Sequence, residues 1–118
     1  MIPYDSFCMV DWSGGNDTGP TPRKDAIWAG AVLAGVEQEP VYLRNRVAAL
    51  DWLTGLIESE RSQNRRLFIG FDFPFGYPKG FARVVTGSDD PFELWKYLAN
   101  AVVDTPKANN RFKLAGAL

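Results

Sequence analysis

Histidine is absent from this chain, and that absence narrows its chemistry more than any other feature of the composition. Without imidazole there is no Ser-His-Asp or Cys-His nucleophilic pair, no histidine general base and no histidine-ligated zinc. Cysteine is nearly absent as well. Cys8 stands alone, which excludes an intrachain disulfide and a thiolate zinc site and suits a reducing, cytoplasmic compartment. Charge of either sign is scarce in the balance: 13 Lys and Arg against 14 Asp and Glu leave a net −1, too little to draw the protein onto nucleic acid or a membrane by its global field. Long apolar runs are missing too. The longest weakly polar stretch, Ala26–Val36, is too short to span a bilayer, and the first residues lack the basic region of a signal peptide. Catalysis, if these residues perform it, must rest on carboxylates, Lys, Tyr, Ser, backbone amides or a hard cation.

What the chain does have is aromatic bulk. Eight Phe and four Trp in 118 residues can build the core of one domain. Phe7–Trp12 is a short apolar run ending in an acid and then Ser13-Gly14-Gly15, which predicts a buried strand entering a glycine turn. Asn16–Asp25 is a polar loop, Ala26–Ala34 a second strand, Gly35–Pro40 a turn and Val41–Arg44 a short third strand. Val47, Leu50, Leu53, Leu56 and Ile57 recur at helical spacing and predict a helix over Val47–Asn64. Leu67–Phe75 is the most apolar run of the chain and predicts a buried central strand, stopped by Gly76 and Pro78. A loop to Ser88 follows. Asp90, Pro91 and Glu93 have the order of an N-cap, a first-turn proline and a capping-box acid, opening a helix to about Val103 that buries Phe92, Trp95, Leu98 and Val102. Thr105-Pro106 ends it, and Lys107–Leu118 carries no capping or strand signal.

Asp72 is the odd residue in the central run. An unpaired buried carboxylate costs several kcal/mol, so Asp72 is expected to meet a hydrogen-bond donor or a cation at the mouth of a cleft. Ser13, Gly14 and Gly15 are candidates for presenting backbone N–H groups to a phosphate. Lys79, soon after the strand, is a candidate phosphate partner for the same cleft. Phe73, Phe75 and Tyr77 divide between core packing and base stacking. The arginines at 44, 46, 61, 65 and 66 form small basic clusters, read chiefly as solvated faces.

Three strands, a helix, a strand bearing an acid and another helix resemble the ribonuclease H-like fold, an α/β architecture with a mixed five-stranded sheet, which is expected here to lack its last strand or strands. The phrase Asp72-x-Pro74-x-Gly76-x-Pro78 is similar to the signature of a family within that superfamily. The resemblance implies that Asp11 and Asp72 lie side by side on neighbouring strands, that Asp51 near the start of the first helix joins them, and that the three hold Mg²⁺ or Mn²⁺. It implies a hydrolase acting on phosphodiesters of nucleic acid or nucleotides, with paired ions activating water and stabilising the leaving oxygen. It also implies a further acid downstream, so residues 1–118 are expected to be the N-terminal part of a longer protein. The turn at Asp11–Gly15 is also similar to the first phosphate-binding turn of actin-like kinases, which leaves nucleotide binding as an alternative. A non-catalytic binding module is the third.

Overall fold

The structure, a computed structural model, describes residues 3–74, 76–105 and 109–118. It divides into two units, Met1–Phe73 and Pro74–Leu118. Pro106 and Lys107, expected to end the last predicted helix and begin the tail, lie outside the described residues, as does Phe75.

In the first unit, side-chain alternation decides which face of the sheet is covered. Along β1 (Ser6–Asp11), Ser6, Cys8 and Val10 are buried, whereas Phe7 is half-buried and Met9 and Asp11 are exposed. Along β2 (Ile27–Leu33), Ile27, Ala29 and Ala31 are buried while Gly30 and Val32 are not. This period of two is that of a pleated strand with one packed face. The packed face meets α1 (Arg46–Ser62), and Ala49, Leu53 and Leu56 join Cys8, Val10, Ile27, Ala29 and Leu43 in one core. Cys8 is fully buried, so burial pushes its thiol pKa up and it acts as a small apolar residue.

β1 and β2 pair antiparallel, and β2 turns back through Ala34-Gly35, at φ 49° and 83°, a two-residue turn of the primed kind that suits strand twist. The expected third strand forms with its expected bounds as β4 (Val41–Arg44), and a two-residue strand, β3 (Val36–Glu37), lies on the same edge of β2 within the stretch expected as a turn. Pro40 has no N–H to give to the ladder, which accounts for a break before Val41. After α1 the chain returns as β5 (Leu67–Phe71), parallel to β1, with Ser6 opposite Leu67 and Val10 opposite Phe71. The sheet order is β3-β2-β1-β5, with β4 also on β2, a five-stranded mixed sheet. β5 therefore lies at the end of that order, half-buried, where a buried central strand was expected, and it stops at Phe71 rather than Phe75.

The helix α1 also turns a partly different face to the sheet. Val47, Leu50 and Ile57 are exposed, and Ala49, Leu53, Leu56 and Glu60 are buried. Ala49 has no side chain beyond Cβ, so the helix can approach closely there. Its start is fixed by Asn45, whose side-chain oxygen accepts from the Ala48 amide at 3.0 Å.

Glu60 is 1 % exposed and yet charged. Arg65 donates to both carboxylate oxygens at 2.9 and 2.5 Å, and the Ser6 hydroxyl donates to one at 2.5 Å. Ser6 Oγ in turn accepts from the Ala34 amide at 3.0 Å. Helix end, first strand and hairpin turn are thereby tied at one point.

The second unit contains α2 (Phe81–Thr86), α3 (Pro91–Ala101) and α4 (Arg111–Ala117). Asp90 caps α3 as expected, accepting from the Phe92 amide at 2.9 Å, and Pro91 opens the first turn, but Glu93 closes no capping box: it pairs with Lys96, and the Asp90 amide donates to Ser88. The buried face of α3 was misjudged. Leu94 is buried, Phe92 is 70 % exposed and Trp95 is 40 % exposed. α2 falls where a loop was expected and is bounded by Gly80 and Gly87, both at positive φ. α4 falls in the tail that carried no signal. Among the described residues no helix is long and apolar enough to cross a membrane.

The Arg65 guanidinium beside Glu60 holds its carboxyl at about 2, below the ordinary 4.5, with the Ser6 hydroxyl adding to the effect against the opposing cost of burial. Because the folded value is the lower one, this stabilisation is complete above pH 4.5 and drains away as pH falls toward 2. Arg65→Ala should cost about 3 kcal/mol near neutrality, since it strands a buried charge, and the deficit should shrink in acid. Urea denaturation of both proteins between neutral and acid pH measures this; a deficit independent of pH would contradict it.

Candidate functional site

Parallel pairing places the C-terminal ends of β1 and β5 together, and the chain leaves each strand through an aspartate. Asp11 is the last residue of β1, on the open face of the sheet with Met9. Asp72 follows β5 directly, and its Oδ1 accepts from the Trp12 backbone amide at 2.9 Å, across 60 residues of sequence. Asp72 is exposed, so no desolvation penalty forces it to a partner; the hydrogen bond positions it. Among the described residues no hydrogen bond or ion pair engages the Asp11 carboxylate.

Both acids line one pocket of about 390 Å³. Met9 and Trp28 line it on the open face, with the end of β5 at Phe71 beside them, Gly30 leaving a bare stretch of floor and Pro40 at one side. Trp12 packs edge-on against Phe71 and Phe73, at ring separations of 6.2 and 5.5 Å, which holds the two strand ends together from the apolar side. None of the described residues lining the pocket is basic. Two carboxylates without a local counter-charge make it a place for a cation or for hydrogen-bond donors.

The glycine turn beyond Asp11 is tied down by its neighbours. Ser13 Oγ accepts from the Gly15 amide at 3.3 Å, and the Gly14 carbonyl accepts from Arg46 at 3.2 Å. Neither Gly14 nor Gly15 has positive φ, so the alternating backbone that forms an anion nest is not made there. Further along, Asp17 accepts from the Tyr42 hydroxyl and from the Gly19 amide. The Tyr42 bond, then the Gly19 bond, hold the Asp17 carboxyl below its ordinary pKa, and Arg23 and Arg44 add to the effect. Arg44 donates to the Gly19 carbonyl and Asn45 to that of Asp17. Residues at the β4–α1 junction thus hold the whole loop. Sequence reasoning took Arg44 and Arg46 for solvated positions; carbonyl contacts of this kind leave no pattern in the sequence.

Among the candidates of the first unit, Asp51 is placed away from this pocket. Asp51 is exposed on α1 and lines a separate groove of about 580 Å³ with Gln38, Glu39 and Trp52. Lys79 belongs to the second unit and lines a groove there with Tyr77, Asp89 and Trp95. Tyr77 stacks on Phe81 at 5.2 Å in that unit. Among the described residues no group of three or more His, Cys, Asp or Glu side chains converges in a way that could hold a metal ion. Trp28 was missed as a site residue, although it faces Asp11 in the strand register.

The fold and site define a mixed α/β protein with a pair of aspartates at adjacent ends of parallel strands. In comparisons with known proteins the chain matches no family model, no curated protein and no solved structure.

Asp72→Ala should cost about 1 kcal/mol through the loss of the Trp12 hydrogen bond, and Asp72→Asn, which keeps an acceptor oxygen, should recover most of it. Asp11→Ala should leave stability within about 0.5 kcal/mol of wild type, as expected of an exposed residue without a partner. Chemical denaturation of the three variants gives the comparison, and equal losses at Asp11 and Asp72 would contradict it.

Proposed function

We propose that the protein is a divalent-metal-dependent phosphoryl-transfer enzyme of ribonuclease H-like type, hydrolysing a phosphodiester of nucleic acid or a nucleotide. The observation that carries this reading is the convergence of Asp11 and Asp72 on one pocket whose described lining residues include no basic one. A phosphate would be repelled by that pair unless a cation came with it. Mg²⁺ is commonly held by one or two carboxylates, with water and substrate phosphate completing its shell, so two aspartates without a third ligand fit it. When bound, Mg²⁺ or Mn²⁺ supplies polarisation of a phosphoryl oxygen and activation of water.

The chain's own part is positional. The Trp12 amide occupies one oxygen of Asp72 and fixes its orientation, and both acids line the pocket. In the reaction a water oxygen adds to phosphorus, the ester P–O bond breaks, and the departing oxygen takes up a proton. The order of the elements and the parallel pairing of β1 with β5 support the ribonuclease H-like assignment. The alternative reading, nucleotide binding through Ser13, Gly14 and Gly15, has less support because the Gly15 amide is already bonded to Ser13.

Titration with Mg²⁺ and Mn²⁺ by calorimetry tests the proposal. Wild type should give saturable binding, and the Asp11→Asn/Asp72→Asn double variant, folded by circular dichroism, should give none. Absence of binding to wild type, or undiminished binding to the double variant, would overturn it.

A further inference from the structure

We infer that Trp28 is a stacking platform for the nucleobase next to the phosphodiester held at Asp11 and Asp72, so that the pocket selects a base-bearing diester over a bare one. The inference rests on the reading of the aspartate pair given above and adds a specificity residue to it.

Three observations place Trp28 in this role. It is the direct register partner of Asp11 across the β1–β2 ladder, and such cross-strand partners have Cβ atoms about 5 Å apart. A group bound at the carboxylate is therefore within one ring's breadth of the indole. Trp28 lines the same pocket as both acids, and beside it lies Gly30, where an added Cβ would meet nothing within 4 Å. That bare floor leaves room for a flat ring between the indole and Met9, which is 57 % exposed on the neighbouring strand.

The ring is also fixed before any ligand arrives. Trp28 Nε1 donates to the Arg23 carbonyl at 2.9 Å, and its ring packs on Tyr42 at 5.0 Å. Tyr42 is itself held by its bond to Asp17 and by the Arg44 guanidinium, 5.7 Å from its ring centre. An aromatic side chain immobilised in this way loses little freedom on stacking, which is the condition for a useful platform. Apolar walls and carboxylates offer nothing that would distinguish one base from another by charge, so the preference is for a base over none rather than for a particular sequence.

The experiment compares a short thymidine oligonucleotide with a length-matched abasic oligonucleotide, both labelled, by fluorescence anisotropy in Mg²⁺. Wild type should favour the thymidine strand by about ten-fold, the size of one stacking contact. Trp28→Leu, which keeps apolar bulk without a flat face, should abolish that preference, and Trp28→Phe should retain part of it. Intrinsic fluorescence gives a second readout: thymidine binding should quench wild type more than Trp28→Phe. A thymidine dinucleotide separates the two sources of such a ligand. Equal affinity for it and the longer strand identifies a free dinucleotide, tighter binding of the strand identifies a polymer, and either supports the inference when the Trp28 dependence holds. Equal affinity of wild type for both oligonucleotides, or a preference surviving in Trp28→Leu, overturns the role of Trp28 while leaving metal-dependent diester binding intact. Binding of neither oligonucleotide by wild type overturns both.

Discussion

A buried carboxylate fixes the frame on which the pocket is built. Glu60, near the end of α1, receives the Arg65 guanidinium on both oxygens and the Ser6 hydroxyl on one. Ser6 begins β1, and Arg65 lies two residues before the start of β5. The same junction carries the Arg66 carbonyl, which accepts from the amides of Asp5 and Ser6, and the Arg66 amide, which donates to Asp5. The register of the two parallel strands is therefore set at their N-terminal ends. Asp72 meets the Trp12 amide at the other end because the register was fixed at this one.

This division of labour separates stability from chemistry. One end of the β1–β5 pair is closed by a charge that is expensive to bury and fully compensated. The other end carries two exposed aspartates, one of them without a partner among the described residues, beside a pocket lined by Met9 and Trp28. Open α/β sheets commonly place ligands at the carboxyl ends of their strands, where side chains are free of the ladder and loops can be shaped around them. Arg44, Asn45 and Arg46 then act from the β4–α1 junction, holding the loop after Asp11 by its carbonyls rather than by its side chains.

The parts of this fold that could be read from sequence are those with local causes. The first two strands, the long helix, the strand after it and the N-cap at Asp90 all follow from patterns within a few residues. Pro40 marked the start of β4 correctly, and the two-residue β3 within the turn before it is too short to leave a pattern. α1 was located correctly and its buried face read in part: Leu53 and Leu56 pack as expected, whereas Val47, Leu50 and Ile57 are exposed and Ala49, whose smallness is what the packing uses, takes their place. α2 and α4 are six and seven residues long and lack a side-chain cap, so they leave no signature. Asp72 drew notice as an acid in an apolar run, and its proximity to the end of β1 is a matter of topology. Trp28 could have been found by the same route, since a strand register that places Asp11 also places its partner.

The 60 residues between Trp12 and Asp72 also bear on how the protein reaches its folded state. The β2–β3 hairpin and α1 join residues close in sequence, whereas β5 pairs with β1 across the whole intervening chain. Parallel pairing across such a distance spends loop entropy before it gains contacts, and contacts of this kind dominate the folding time of small domains. The aspartates thus remain apart while most of the secondary structure forms. Their encounter coincides with the closing of the sheet, so a partly folded chain carries neither the pocket nor its paired negative charge.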